Sequence, residues 1–85
     1  MRRGDVWWAE PPGIGRRPHL ILTRDAAIPL LTRVVVAPAT RTPRGLPSEV
    51  PLDVEDGMPA ACVLSLDNVT AMPTAWLVER ICTLP

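Results

Sequence analysis

A mainly β fold, a small barrel or strongly bent sheet of five to seven short strands with one or two helical turns, is predicted by three features of this 85-residue sequence. Eleven prolines are spread along it. Each removes a backbone donor and disfavours the helical conformation of the residue before it, so no window remains for a long helix. Short runs rich in Val, Ile, Leu and Trp recur between clusters of Gly, Pro, Asp and Thr, the punctuation of strands and turns. The length admits one domain, residues 1–85, with a core small enough that association with a second copy is a reasonable way to bury the remainder.

Taken in order, Asp5 to Glu10 forms the first strand, with Val6, Trp7 and Trp8, and stops at Pro11-Pro12-Gly13. A flexible loop, Gly13 to Arg16, leads to Arg17-Pro18 and a second strand, His19 to Thr23, with Pro18 at its start or on an edge. Arg24 to Leu31 holds at most a turn of helix, with Asp25 as its cap and Pro29 in its first turn. Thr32 to Ala37 is the most apolar run and is expected as a central strand covered on both faces, ended by Pro38. After the polar loop Thr40 to Pro47, Ser48 to Val54 alternates as a half-exposed edge strand, turning Val50, Leu52 and Val54 inward around Pro51. Glu55 to Pro59 is a turn, and Cys62 to Val69 is a strand interrupted by Asp67-Asn68. Thr74 to Val78 is a helical turn or bend, and Glu79 to Leu84 is the last strand.

Nine Arg balance nine Asp plus Glu, and Lys is absent, so no whole-protein field draws in a polyanion. The distribution is uneven. Eight of the nine Arg lie in residues 1–44, while Glu49, Asp53, Glu55, Asp56, Asp67 and Glu79 crowd the second half. A local basic face built from guanidinium groups suits planar, two-point binding of phosphate. No apolar run is long enough to span a bilayer and no signal-like start is present, so the expected compartment is the cytoplasm, away from membranes. Cys62 and Cys82 have no companion ligands at metal spacing; reduced, buried thiols and no metal are expected. Arg3-Gly4-Asp5 and the sequon Asn68-Val69-Thr70 are taken as chance matches.

Cofactor motifs, a Gly-rich phosphate loop and a Ser-His-Asp order are all missing, and with one His and two Ser the hydrolase templates are poorly stocked. What remains at strand ends is Arg16, Arg17, His19, Thr40, Arg41, Thr42, Arg44 and Asp67. That inventory suits RNA. RNA carries its own nucleophile, the 2′-hydroxyl, so cleavage needs only in-line orientation and donors for the charge developing on phosphorus. An arginine fork and a threonine hydroxyl of restricted χ1 supply such donors. Arg16, Arg41, Thr42 and Arg44 are candidates for steering the backbone. His19 faces the same side of its strand as Arg17 and is either an acid–base group or a core residue; Asp67 takes a proton, or serves structurally by orienting an Arg or capping a turn. Trp7, Trp8 and Trp76 are expected in the core, with base stacking as the other use. The same residues also fit a small barrel that binds RNA or peptide without cutting it.

Arg3 to Trp7 (RGDVW), Arg17-Pro18 ahead of His19 to Leu22, Val34 to Thr40 (VVVAPAT), Gly45 to Val50 (GLPSEV), Leu66 to Val69 (LDNV) and Arg80-Ile81 stand in an order that resembles the MazF/PemK-type toxins over nearly the whole length. The resemblance implies an SH3-like barrel, a homodimer, metal-independent cleavage of single-stranded RNA at short motifs, no cofactor, and inhibition by a cognate MazE-like antitoxin. An acidic segment of that antitoxin would compete with RNA for the arginines. It also implies that Arg17 and Thr40 are the catalytic residues. Where some members carry a further catalytic Arg, two positions before the late Asp, this chain has Ser65, with Asp67 in place. The Pro11 to Arg16 loop is shorter than in many members, and members continue past the position of Leu84 with a helix, so uncovered core is expected near Pro85. An inactive relic that still engages antitoxin is the other reading of that departure.

Overall fold

A computed structural model describes residues 1–85. Seven strands form one antiparallel, strongly bent sheet: β1 (Asp5–Ala9), β2 (Arg17–Ile21), β3 (Arg33–Thr40), β4 (Glu49–Leu52), β5 (Cys62–Ser65), β6 (Thr70–Pro73) and β7 (Leu77–Thr83). Their order is β4-β5-β3-β2-β1-β7, with β6 also paired to β3. Helical structure is limited to 3₁₀ turns at Ile28–Leu30, Val54–Asp56, Leu66–Asn68 and Thr74–Trp76, as the spacing of the prolines predicts.

The central strands are covered on both sides over most of their length. Val6, Leu20 and Ala37 meet Leu52, Met58 and Leu64 on one face; Ala9, Ile21 and Val36 meet Ile28, Met72 and Leu77 on the other. Alternation along each strand explains why neighbours such as Leu20 and Ile21 serve different cores. The sheet rolls until β7 returns onto the β4–β5 connection. There Gly57 adopts φ 99°, and a Cβ added to it would lie 2.7 Å from the Cβ of Cys82. Asp53 and Asp56 cap the turn before Gly57 reciprocally, each carboxylate accepting from the other end's backbone. Cys62 and Cys82 are free thiols, and burial pushes both up from the usual thiol range.

The two ends of the chain are joined through Asp5. Its carboxylate accepts from the Thr83 hydroxyl at 2.7 Å and the Arg2 N–H at 3.0 Å, and Leu84 N–H donates to Gly4 O at 2.9 Å. Burial alone would raise its pKa, yet the donors from Thr83, Arg2 and Trp7, aided by the charge of Arg80, hold it below the ordinary value.

Several expectations require correction. Pro38 does not end the central strand; β3 runs through it to Thr40. Leu22 N–H donates to Val35 O, so by antiparallel alternation the N of Pro38 faces the edge away from β2. On that edge the 3₁₀ turn Leu66–Asn68 carries the neighbouring strand outward between the pairs Val36–Thr70 and Ala39–Leu64, and no donor is needed. For the same reason the strand expected over Cys62 to Val69 ends at Ser65 as β5, and pairing resumes only at Thr70, beyond that run, as β6. Double coverage of β3 fails at Val35, which is 39% exposed. In β4 and beyond, Val50 and Val54 are exposed and only Leu52 is buried, because an edge strand has one neighbour to cover it. Asp25 caps no helix; its carboxylate accepts from Arg3 N–H at 2.6 Å.

Candidate nucleic-acid interface

The register of β2 and β3 builds the site. The last paired residues toward the chain's Arg-rich loops are His19 and Pro38. Two positions further, the same register sets Arg17 across from Thr40; β3 stays paired to β5 on its other edge, at Thr40–Val63, but the ladder between β2 and β3 has ended. A cleft of about 330 Å³ opens between them, bordered by Arg17, Thr40, Arg16, Arg41 and Trp8, with Cys62 and Met58 beneath. No carboxylate lines it. Of the three arginines on its border, Arg17 and Arg41 have no ion-pair partner, which gives the cleft local positive charge on a protein of zero net charge.

The cationic groups are not equivalent. Arg16 is engaged: its guanidinium lies 4.9 Å from the Trp8 ring centroid, donates to Glu79 at 2.7 Å and stands 3.8 Å from Glu10. Arg17 and Arg41 are exposed and form no ion pair. Thr40 Oγ1 accepts the N–H of Thr42 at 3.2 Å, which fixes the oxygen and leaves its proton for a ligand.

His19 belongs elsewhere. It is 7% exposed, and its Nδ1 sits 3.1 Å from Arg17 O, so Nδ1 carries the proton and Nε2 is a lone-pair acceptor. Burial holds its pKa below the usual imidazole value; the Arg17 carbonyl opposes this and the Arg17 charge adds to it. His19 lines a second cleft of about 260 Å³, which Arg17 also borders.

The structure therefore brings together Arg16, Arg17, Thr40 and Arg41. Thr42 touches the site through its N–H alone, and Arg44 lies beyond it with its own N–H held by Glu49 at 3.0 Å. Asp67 borders neither cleft and accepts from Ser48 Oγ at 2.6 Å, while Ser65 is buried and accepts from Asn68. Trp8 and Trp76, expected in the core, are half-buried and line one cleft each. The available signal was the pair Trp7-Trp8, since adjacent strand residues face opposite sides.

Fold and site together define a small SH3-like barrel protein with an arginine- and threonine-lined cleft suited to a phosphodiester. Residues 2–85 match the family described as PemK-like, MazF-like toxin of type II toxin-antitoxin system, and the chain belongs to that family. A Mycobacterium tuberculosis protein named probable endoribonuclease MazF5 is 51% identical over 80 residues, spanning 93% of this chain and 73% of its own. The solved Mycobacterium tuberculosis toxin MazF-mt6 superposes with a TM-score of 0.86 at 41% identity, covering 95% of this chain and 80% of its own. A mycobacterial endoribonuclease solved in complex with its cognate antitoxin superposes with a TM-score of 0.86 at 25% identity, over all of this chain and 80% of the other.

Proposed function

We propose that this toxin is an endoribonuclease that cleaves single-stranded RNA without a metal, at short sequence motifs, and so inhibits translation. The observation that carries the reading is the pairing of Arg17 with Thr40 in a cleft without carboxylates. The 2′-hydroxyl of the RNA gives its proton to water and its oxygen attacks phosphorus in line, the bond from phosphorus to the 5′-oxygen breaks, and that oxygen takes a proton from water, leaving a 2′,3′-cyclic phosphate and a 5′-hydroxyl. Arg17 binds two equatorial oxygens and stabilises the phosphorane charge, Thr40 donates its hydroxyl proton to the same group, and Arg41 steers the flanking backbone. Arginine acts here by charge, since its guanidinium offers a fork of N–H donors and no acceptor.

The named relatives support ribonuclease chemistry, and the relative solved with its antitoxin supports a protein inhibitor. An acidic, MazE-like antitoxin segment covers the Arg17 and Arg41 surface of a homodimer and excludes RNA. The place of action is the cytoplasm; no helix is long and apolar enough to cross a membrane. Incubation with a long single-stranded RNA in EDTA tests the reading. Discrete fragments with 5′-hydroxyl ends are expected; an intact RNA beside a folded chain refutes it.

A further inference from the structure

Arg17 borders both clefts and Thr40 only the first, so a phosphate held by these two residues has the second cleft as its immediate neighbour. That second cleft differs in chemistry. Arg17 is its one charged border, and the rest is apolar or neutral: Trp76, Met72, Pro38 and the buried imidazole of His19, with Ile14 at the mouth. A site with an aromatic wall and no further cation does not attract a second phosphate; it suits a flat heteroaromatic ring. His19 lines this cleft, and its Nε2 has no hydrogen-bond partner within the chain. The Nδ1 proton is committed to Arg17 O, so Nε2 accepts and does not donate.

We propose that the second cleft takes one unstacked nucleobase beside the phosphate held by Arg17, with its ring against Trp76 and one base N–H donated to Nε2 of His19. This rests on the ribonuclease reading and makes His19 a specificity residue instead of an acid–base group. A buried acceptor of fixed polarity selects a base that presents a donor at that point and rejects one that presents a carbonyl oxygen or a bare ring nitrogen, because two acceptors are then left facing each other. The cleft is sized for one base, so the preference falls on a single position of the cleavage motif.

The test sequences the 5′ ends produced from a long single-stranded RNA by the parent chain and by His19→Leu and His19→Gln. His19→Leu is expected to change the base preference at one position flanking the cut by about tenfold or more and to leave the others as they are. His19→Gln, which retains an acceptor, is expected to keep part of the parent preference. An unchanged motif in folded variants overturns the proposal. A second arm uses only the parent chain, cutting a short substrate with an abasic nucleotide at each position in turn. One position next to the cut is expected to slow about tenfold, and equal rates at all positions overturn the proposal. No cleavage of any RNA by the parent chain removes the ribonuclease reading itself, and this proposal with it.

Discussion

Arg17 and Thr40 stand across from each other two residues beyond the last paired position of β2 and β3, at His19 and Pro38, and both border the cleft that opens where that ladder ends. The cleft is thus a consequence of sheet topology. Its walls are strand ends, which hold a guanidinium and a hydroxyl more firmly than a free loop would.

The seam that closes the barrel depends on glycine. Gly57→Ala is expected to lower stability by roughly 1–3 kcal/mol, since position 57 has φ 99° and the new Cβ meets Cys82 Cβ at 2.7 Å. Chemical denaturation checks this. Cys82→Ala gives no rescue, because alanine keeps the atom that collides.

Asp5 links stability to acid. Its folded pKa lies below the unfolded value, so its contribution is present above the unfolded pKa and is lost as pH falls through the folded one. Asp5→Asn is expected to cost about 1–3 kcal/mol at neutral pH, by replacing a charged acceptor of the Thr83 and Arg2 donors. Denaturation midpoints of parent and variant should converge in acid.

His19 acts in a higher window. Its folded pKa is depressed, so its contribution is complete above the ordinary imidazole pKa of about 6.5 and is lost as pH falls toward the folded value. The parent chain should lose stability more steeply than His19→Gln as pH falls below neutral. Melting at stepped pH measures the difference.

Arg16 is held by Glu79, so the two should oppose each other in RNA binding. Glu79→Gln is expected to tighten binding about two- to fivefold at low salt, with less effect as salt rises. Arg16→Ala should weaken it less than Arg41→Ala, whose guanidinium has no ion-pair partner to give up. Fluorescence anisotropy with a labelled single strand reads both.

Much of this was legible in the sequence because it was local. Proline spacing excluded long helices, and Gly57 was placed in a turn by its neighbours Glu55, Asp56 and Pro59. Arg17 and Thr40 stood out as polar groups at the ends of apolar runs. What was hidden depends on partners far apart in sequence. Whether Pro38 could remain in a strand depended on which edge its nitrogen faced and on the departure of residues 66–68 from that edge. The engagement of Arg16 by Glu79 spans 63 positions and that of Asp5 by Thr83 spans 78, and neither has a local signal. Asp67 looked like a site residue because it follows an apolar run, but the turn that contains it points its carboxylate to Ser48.

The most direct test compares cleavage rates of one single-stranded RNA in EDTA by the parent chain, Arg17→Ala and Thr40→Val, each shown to be folded. The account predicts that each substitution slows cleavage by about 10²-fold or more, as the loss of a donor to the developing charge should. Rates within a few-fold of the parent for both variants would contradict it.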